Sequence, residues 1–102
     1  MNKRIKFVIE FDESNIPQQI IWEANEDMKD EVVLKSLFIS GWEEKTKSSA
    51  TFSIWTKEMR IDEMQQVFVQ SLLTLASNFE KATKDANVVK KMKEFVSSLG
   101  KN

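Results

Sequence analysis

Near its start the chain places apolar residues at every second position. Ile5, Phe7, Ile9 and Phe11 alternate with Lys6, Val8 and Glu10, the period that sets one apolar row on a sheet face. A strand is predicted there. The segment DESNIPQ then supplies turn chemistry, with Asn15 ahead of Ile16 and Pro17, the only proline in the chain. QQIIWEAN reads as a second strand, with Ile20 and Trp22 on one face and Ile21 on the other. EDMKDEVV is polar and weakly patterned, and is predicted to be a connection with room for a helical turn. LKSLFISGWEEK and ATFSIWTKE read as two strands of a hairpin turning at TKSS. Gly41 inside the first of them predicts a bulge or the close approach of another group.

After WTKEMR the period changes. Ile61, Met64, Phe68, Leu72, Leu75, Phe79 and Ala82 fall on one stripe of a helix, which predicts a core-facing surface through Met64, Phe68 and Leu75. Asp62 and Glu63 suit the positive end of its dipole. Asp85 is placed to cap a second helix with Val88, Val89, Met92, Phe95, Val96 and Leu99 on its apolar face, ending at Gly100. Strands followed by helices give an α+β class. The expected architecture is a four-stranded antiparallel meander with two C-terminal helices folded back over it.

A chain of 102 residues has the length of one domain, residues 1–102. Cysteine and histidine are both absent, which removes the thiolate nucleophile, the disulfide and the commonest proton-transfer group. Zinc and copper sites are not expected, and neither is any cofactor. Fifteen basic against sixteen acidic residues give no global attraction to nucleic acid or anionic lipid. Basic and aromatic residues do not interleave as they do in single-strand nucleic-acid binders. The opening MNKRIKFVIEFDESN has no continuous apolar region of the kind a signal peptide carries, and no later run has the length of a membrane span. A cytoplasmic protein is expected.

Four segments in order, IIWEA, IWTKEMRIDEM, FEKAT and MKEFVSSLG, resemble the gliding motility protein GldC family of Bacteroidetes, from Ile5 to about Leu99. The resemblance implies a small accessory protein of surface gliding. It carries over no catalytic residue. Four strands followed by two helices are also similar in architecture to the SecB-type export chaperone, which assembles as a tetramer and holds unfolded chains.

Candidate chemistry is sparse. Glu26, Asp27, Asp30 and Glu31 lack the alternate carboxylates and central glycine of a calcium loop and read as a solvated connection. Glu43 with Glu44, and Asp62 with Glu63, point in different directions as sequence neighbours and form no acid/base pair. No catalytic, cofactor-binding or metal residue is assigned, and no enzyme is expected. Lys90, Lys91 and Lys93 read as a solvated helix face.

Phe7, Phe11, Phe52, Phe68, Phe79 and Phe95 are read as core. Phe38, Trp42 and Trp55 differ, because Leu37 and Ile39, or Phe52 and Ile54, occupy the other parity of their strands, so both faces of the hairpin carry bulky apolar groups. Two helices cover one sheet face. Val69, Leu73 and Ala76 likewise extend the first helix's apolar surface beyond its stripe, and part of that excess is expected to meet the second helix. Phe38, Trp42, Trp55, Val69 and Leu73 are the candidate partner interface. Either a homo-oligomer stacks across them or they line a groove for an extended peptide. The expected role is an adaptor that binds other gliding or secretion proteins, with an export-chaperone module as the alternative.

Overall fold

The computed structural model describes residues 1–23 and 31–99. Five strands precede two helices: β1 (Lys6–Phe11), β2 (Pro17–Glu23), β3 (Glu31–Leu34), β4 (Ser36–Glu43), β5 (Ser48–Trp55), α1 (Ile61–Thr83) and α2 (Ala86–Leu99). The chain divides into two compact units, Met1–Met59 and Arg60–Asn102.

In the first unit β1, β2 and β3 form one antiparallel sheet in that order, and β4 and β5 form a second, two-stranded one. The α+β class holds. The single four-stranded meander does not, because Val32, Val33 and Leu34 pair with β2 through Trp22, Ile21 and Ile20. Val32 and Val33 form strand where a connection was expected, because the polar residues before them masked two apolar, β-prone positions. The long run predicted from Leu34 onward is also divided. Leu34 lies opposite Ile20 in one ladder and Leu37 opposite Ile54 in the other. Two inward leucines three apart break the period of two, and Lys35 is the residue at which one ladder ends and the next begins.

The β1–β2 turn is held by Asp12. Its carboxylate accepts the backbone N–H groups of Ser14 at 2.8 Å and Ile16 at 3.0 Å, and Asn15 takes a left-handed φ of 64°, a conformation asparagine tolerates. Pro17 opens β2, where a missing N–H costs least. Phe7 stacks on Trp22 with ring centroids 6.0 Å apart. Ile20, fully buried, lies between Ile9 and Leu34 on the same face. A register shift at Glu10 and Phe11 ends that row, and Phe11 is exposed.

The β4–β5 turn falls at residues 44–47, with Lys47 at a φ of 52°, so Ser48 and Ser49 belong to β5. Gly41 sits in regular register opposite Ala50, and a Cβ built on it meets nothing within 4 Å. Neither a bulge nor a close approach explains it.

In the second unit, Glu63 accepts the Arg60 backbone N–H at 3.1 Å, which satisfies a donor at the start of α1. Lys84, with a φ of 56°, ends α1 by donating its N–H to the Glu80 carbonyl at 2.8 Å. Asp85 then caps α2 as expected, accepting from Val88 N–H at 3.2 Å. The two-residue link makes α1 and α2 an αα-hairpin. Ala76, Val89 and Val96 are its buried side chains. The predicted stripe is therefore rotated: Ile61, Phe68 and Leu75 are exposed, while Met64, Leu72 and Phe79 are half-buried. Ala76 is at the centre because a small side chain lets two helix backbones approach. The expected stop at Gly100 lies outside the described residues, as do Glu26, Asp27 and Asp30.

Candidate functional site

Residues paired across an antiparallel ladder share a face. In the β4–β5 ribbon one face carries the pairs Ser36–Trp55, Phe38–Ser53, Ser40–Thr51 and Trp42–Ser49. The register thus brings Phe38, Trp42 and Trp55 together on a face otherwise made of small hydroxyl residues. Trp55 is the diagonal neighbour of Phe38, and Trp42 lies about 13 Å further along the strand from Phe38 at the usual rise per residue. Trp42 is 70% exposed and Trp55 52%.

This face bears no charge. Across both strands the only ionisable side chain is Glu43. An indole offers a large apolar surface with one N–H donor, and the five serine and threonine hydroxyls each donate and accept. A surface so equipped can desolvate against a protein without burying an unpaired charge.

The opposite ribbon face pairs Leu37 with Ile54 and Ile39 with Phe52. Leu37 is buried, yet Ile39 and Phe52 are exposed, so Phe52 is not core. Phe68 and Phe95, also read as core, are exposed as well, whereas Phe7 and Phe79 are half-buried. Val69 and Leu73, four residues apart, lie on one side of α1; Val69 is half-buried and Leu73 exposed. They belong to the second unit and form a patch separate in sequence from the aromatic face.

Polar chemistry concentrates at the base of the ribbon. Thr56 donates its backbone N–H to the Lys35 carbonyl at 2.8 Å. Its hydroxyl is buried without a hydrogen-bond partner, and it lines a groove with Gln18, Gln19, Lys35 and Glu58. Lys57 reaches Asp12 at 3.1 Å. The Ile16 N–H, then the Lys57 ammonium and the Ser14 N–H, hold the Asp12 carboxyl below its ordinary pKa. Among the described residues no cluster of three or more acidic side chains is placed to hold a metal ion, and no helix is long and apolar enough to cross a membrane.

The site of this small α+β chain is thus an uncharged β face with three aromatic rings among small hydroxyl residues. The profile of one family, described as gliding motility-associated protein GldC-like, matches residues 17–102. The chain belongs to that family. Comparison with curated proteins gives no match, and comparison with solved structures gives none either.

Proposed function

We propose that this chain is a non-catalytic, cytoplasmic accessory protein of bacterial gliding that works as an adaptor, gripping a partner protein with the aromatic face of the β4–β5 ribbon. Family membership supplies the process. The observation that carries the mechanism is the register that sets Phe38, Trp42 and Trp55 on one uncharged face. Aromatic anchors flanked by small hydroxyls resemble the composition of protein-binding loops, where rigid rings supply area at little entropic cost. No cofactor or nucleic acid takes part in this reading.

One feature favours a second reading, a module that holds extended export substrates. The ribbon has two strands only, so among the described residues its outer edges carry no further strand, and an extended peptide adds to such an edge. Affinity capture from gliding cells separates the two. An adaptor enriches one or a few folded gliding or secretion proteins, and the Trp42→Glu variant loses them. A holdase enriches many unrelated precursors instead.

A further inference from the structure

We infer that the outer edge of β5 takes a short, extended, uncharged segment of a partner protein as an added strand, seated in the groove that Ser53, Ile54 and Trp55 form with Ile16 and Pro17. The inference rests on the edge-addition reading above, which it narrows to one edge and one kind of segment, and it does not depend on the aromatic-face adaptor role. Exposed strand edges are normally guarded by charge, proline, bulges or shortness. β1 carries Lys6 and the register shift at Glu10 and Phe11, and β3 is four residues long. β4 and β5 each run for eight residues in unbroken register, with no lysine, arginine or proline in either. The ribbon's edges are therefore the unguarded ones.

The hydrogen bonds show which groups of β5 face outward. Thr56 N–H donates to the Lys35 carbonyl at 2.8 Å, the next pair in the register after Ser36–Trp55. Backbone groups alternate sides along an antiparallel strand, so Ile54 and Phe52 turn theirs toward β4, while Trp55, Ser53 and Thr51 turn theirs outward. No strand lies on that side among the described residues. The next outward donor, Lys57 N–H, is taken by the Pro17 carbonyl at 3.3 Å. The chain thus makes one contact of the proposed kind itself, and Pro17 has no N–H to return.

An open groove of about 400 Å³ follows this edge, lined by Ser53, Ile54 and Trp55 together with Ile16, Pro17 and Met59. Side chains of consecutive strand residues alternate between faces, so three in a row line one groove where it runs along the backbone. The only ionisable group lining it is Lys57, whose ammonium is paired with Asp12 at 3.1 Å. A charged segment would lose water there without gaining an opposite charge, whereas apolar side chains meet Ile16, Pro17 and Met59. Thr56, with its buried and unpartnered hydroxyl, lines the groove as well, which leaves one hydrogen bond unmade beside the open edge. Outward backbone groups supply the affinity of strand addition, and the apolar walls supply its preference.

The test adds a short capped peptide of alternating valine and threonine to the full chain and follows amide hydrogen exchange by NMR. The Ser53 and Trp55 N–H groups should exchange fast in the free protein and at least about tenfold more slowly at saturating peptide, while Ser40 and Trp42 on the outer edge of β4 should not change. Ser53→Pro removes an outward donor that the ladder does not use and should weaken peptide binding about tenfold or more. Ile16→Lys, at an exposed position, should do the same by charging the wall, and it decides the matter if Ser53→Pro unfolds. Trp42→Glu should bind the peptide as the wild type does. Protection at Ser40 and Trp42 in place of Ser53 and Trp55 would overturn this assignment while leaving edge addition standing. No binding at about 1 mM peptide would overturn both. Ser53 and Trp55 already protected in a self-associated wild type would give the edge to a second copy and overturn the assignment too. Equal binding of a peptide with aspartate at its central valine would overturn the chemistry assigned to the segment.

Discussion

Ile39 and Phe52 stand directly opposite one another in the β4–β5 ladder, and both are exposed. The other face of the same ribbon carries Phe38, Trp42 and Trp55, so both faces expose bulky apolar groups. Cross-strand pairs of this kind are the unit of sheet stability, and a two-stranded ribbon is marginal without further packing. The exposed apolar groups of the ribbon are the basis of the binding role proposed for it.

The aromatic face should separate binding from folding. Trp42→Ser removes an exposed ring and is expected to change stability by about 0.5 kcal/mol or less, while costing about 2 kcal/mol or more in partner affinity if Trp42 is an anchor. Urea denaturation and binding titration of the captured partner measure the two. A large loss of stability with unchanged affinity would mean that the ring packs within the fold.

Real core positions behave differently. Ile20 is at 0% exposure in the three-stranded sheet, and Ile20→Ala should cost about 2–5 kcal/mol through lost contacts and a cavity. Ile39→Ala should cost far less. Chemical denaturation of both variants checks the ranking, and equal midpoints would show the two ladders to be equally buried.

Ala76 is also at 0% exposure, where the small side chain sets the helix separation. Ala76→Leu should destabilise the hairpin by about 1–3 kcal/mol through overpacking, lowering the thermal midpoint of the helical signal. Gly41 predicts the opposite sign. Because a Cβ there meets nothing, Gly41→Thr should stabilise the ribbon by about 0.5–1 kcal/mol by restricting the unfolded chain and suiting a strand.

The Asp12 turn gives a pH dependence. A carboxyl held below its ordinary value of 3.8 contributes stability that is fully present above the unfolded pKa and is lost as pH falls through the lower folded one. Asp12→Asn should thus be less stable than the wild type at neutral pH. The gap should close below pH 3.8, measured as urea midpoints across the acid range. A constant gap would indicate that the turn depends on shape alone and not on charge.

Much of this was legible in the sequence and some was not, for identifiable reasons. β1, β2, the β4–β5 hairpin, both helices and the Asp85 cap follow from period and capping chemistry. Parity within each strand separated Phe38, Trp42 and Trp55 from Leu37, Ile39, Phe52 and Ile54, but only the β4–β5 register puts the three on one face. Val32 and Val33 were missed, since a four-residue strand behind an acidic run has too short a pattern to register. The rotation of α1 was missed for a different reason. Its apolar arc is so wide that Phe68 and Ala76 both qualify as inward, and only the position of α2 decides between them.

The most direct measurement for the central claim is complementation in a gliding bacterium that lacks its own copy of this gene. The Trp42→Glu, Trp55→Glu double variant, shown by circular dichroism to be folded and by immunoblot to reach wild-type levels, should fail to restore gliding while losing the captured partner. Full restoration of gliding by that folded variant would contradict the account, because the aromatic face would then be dispensable for the protein's role.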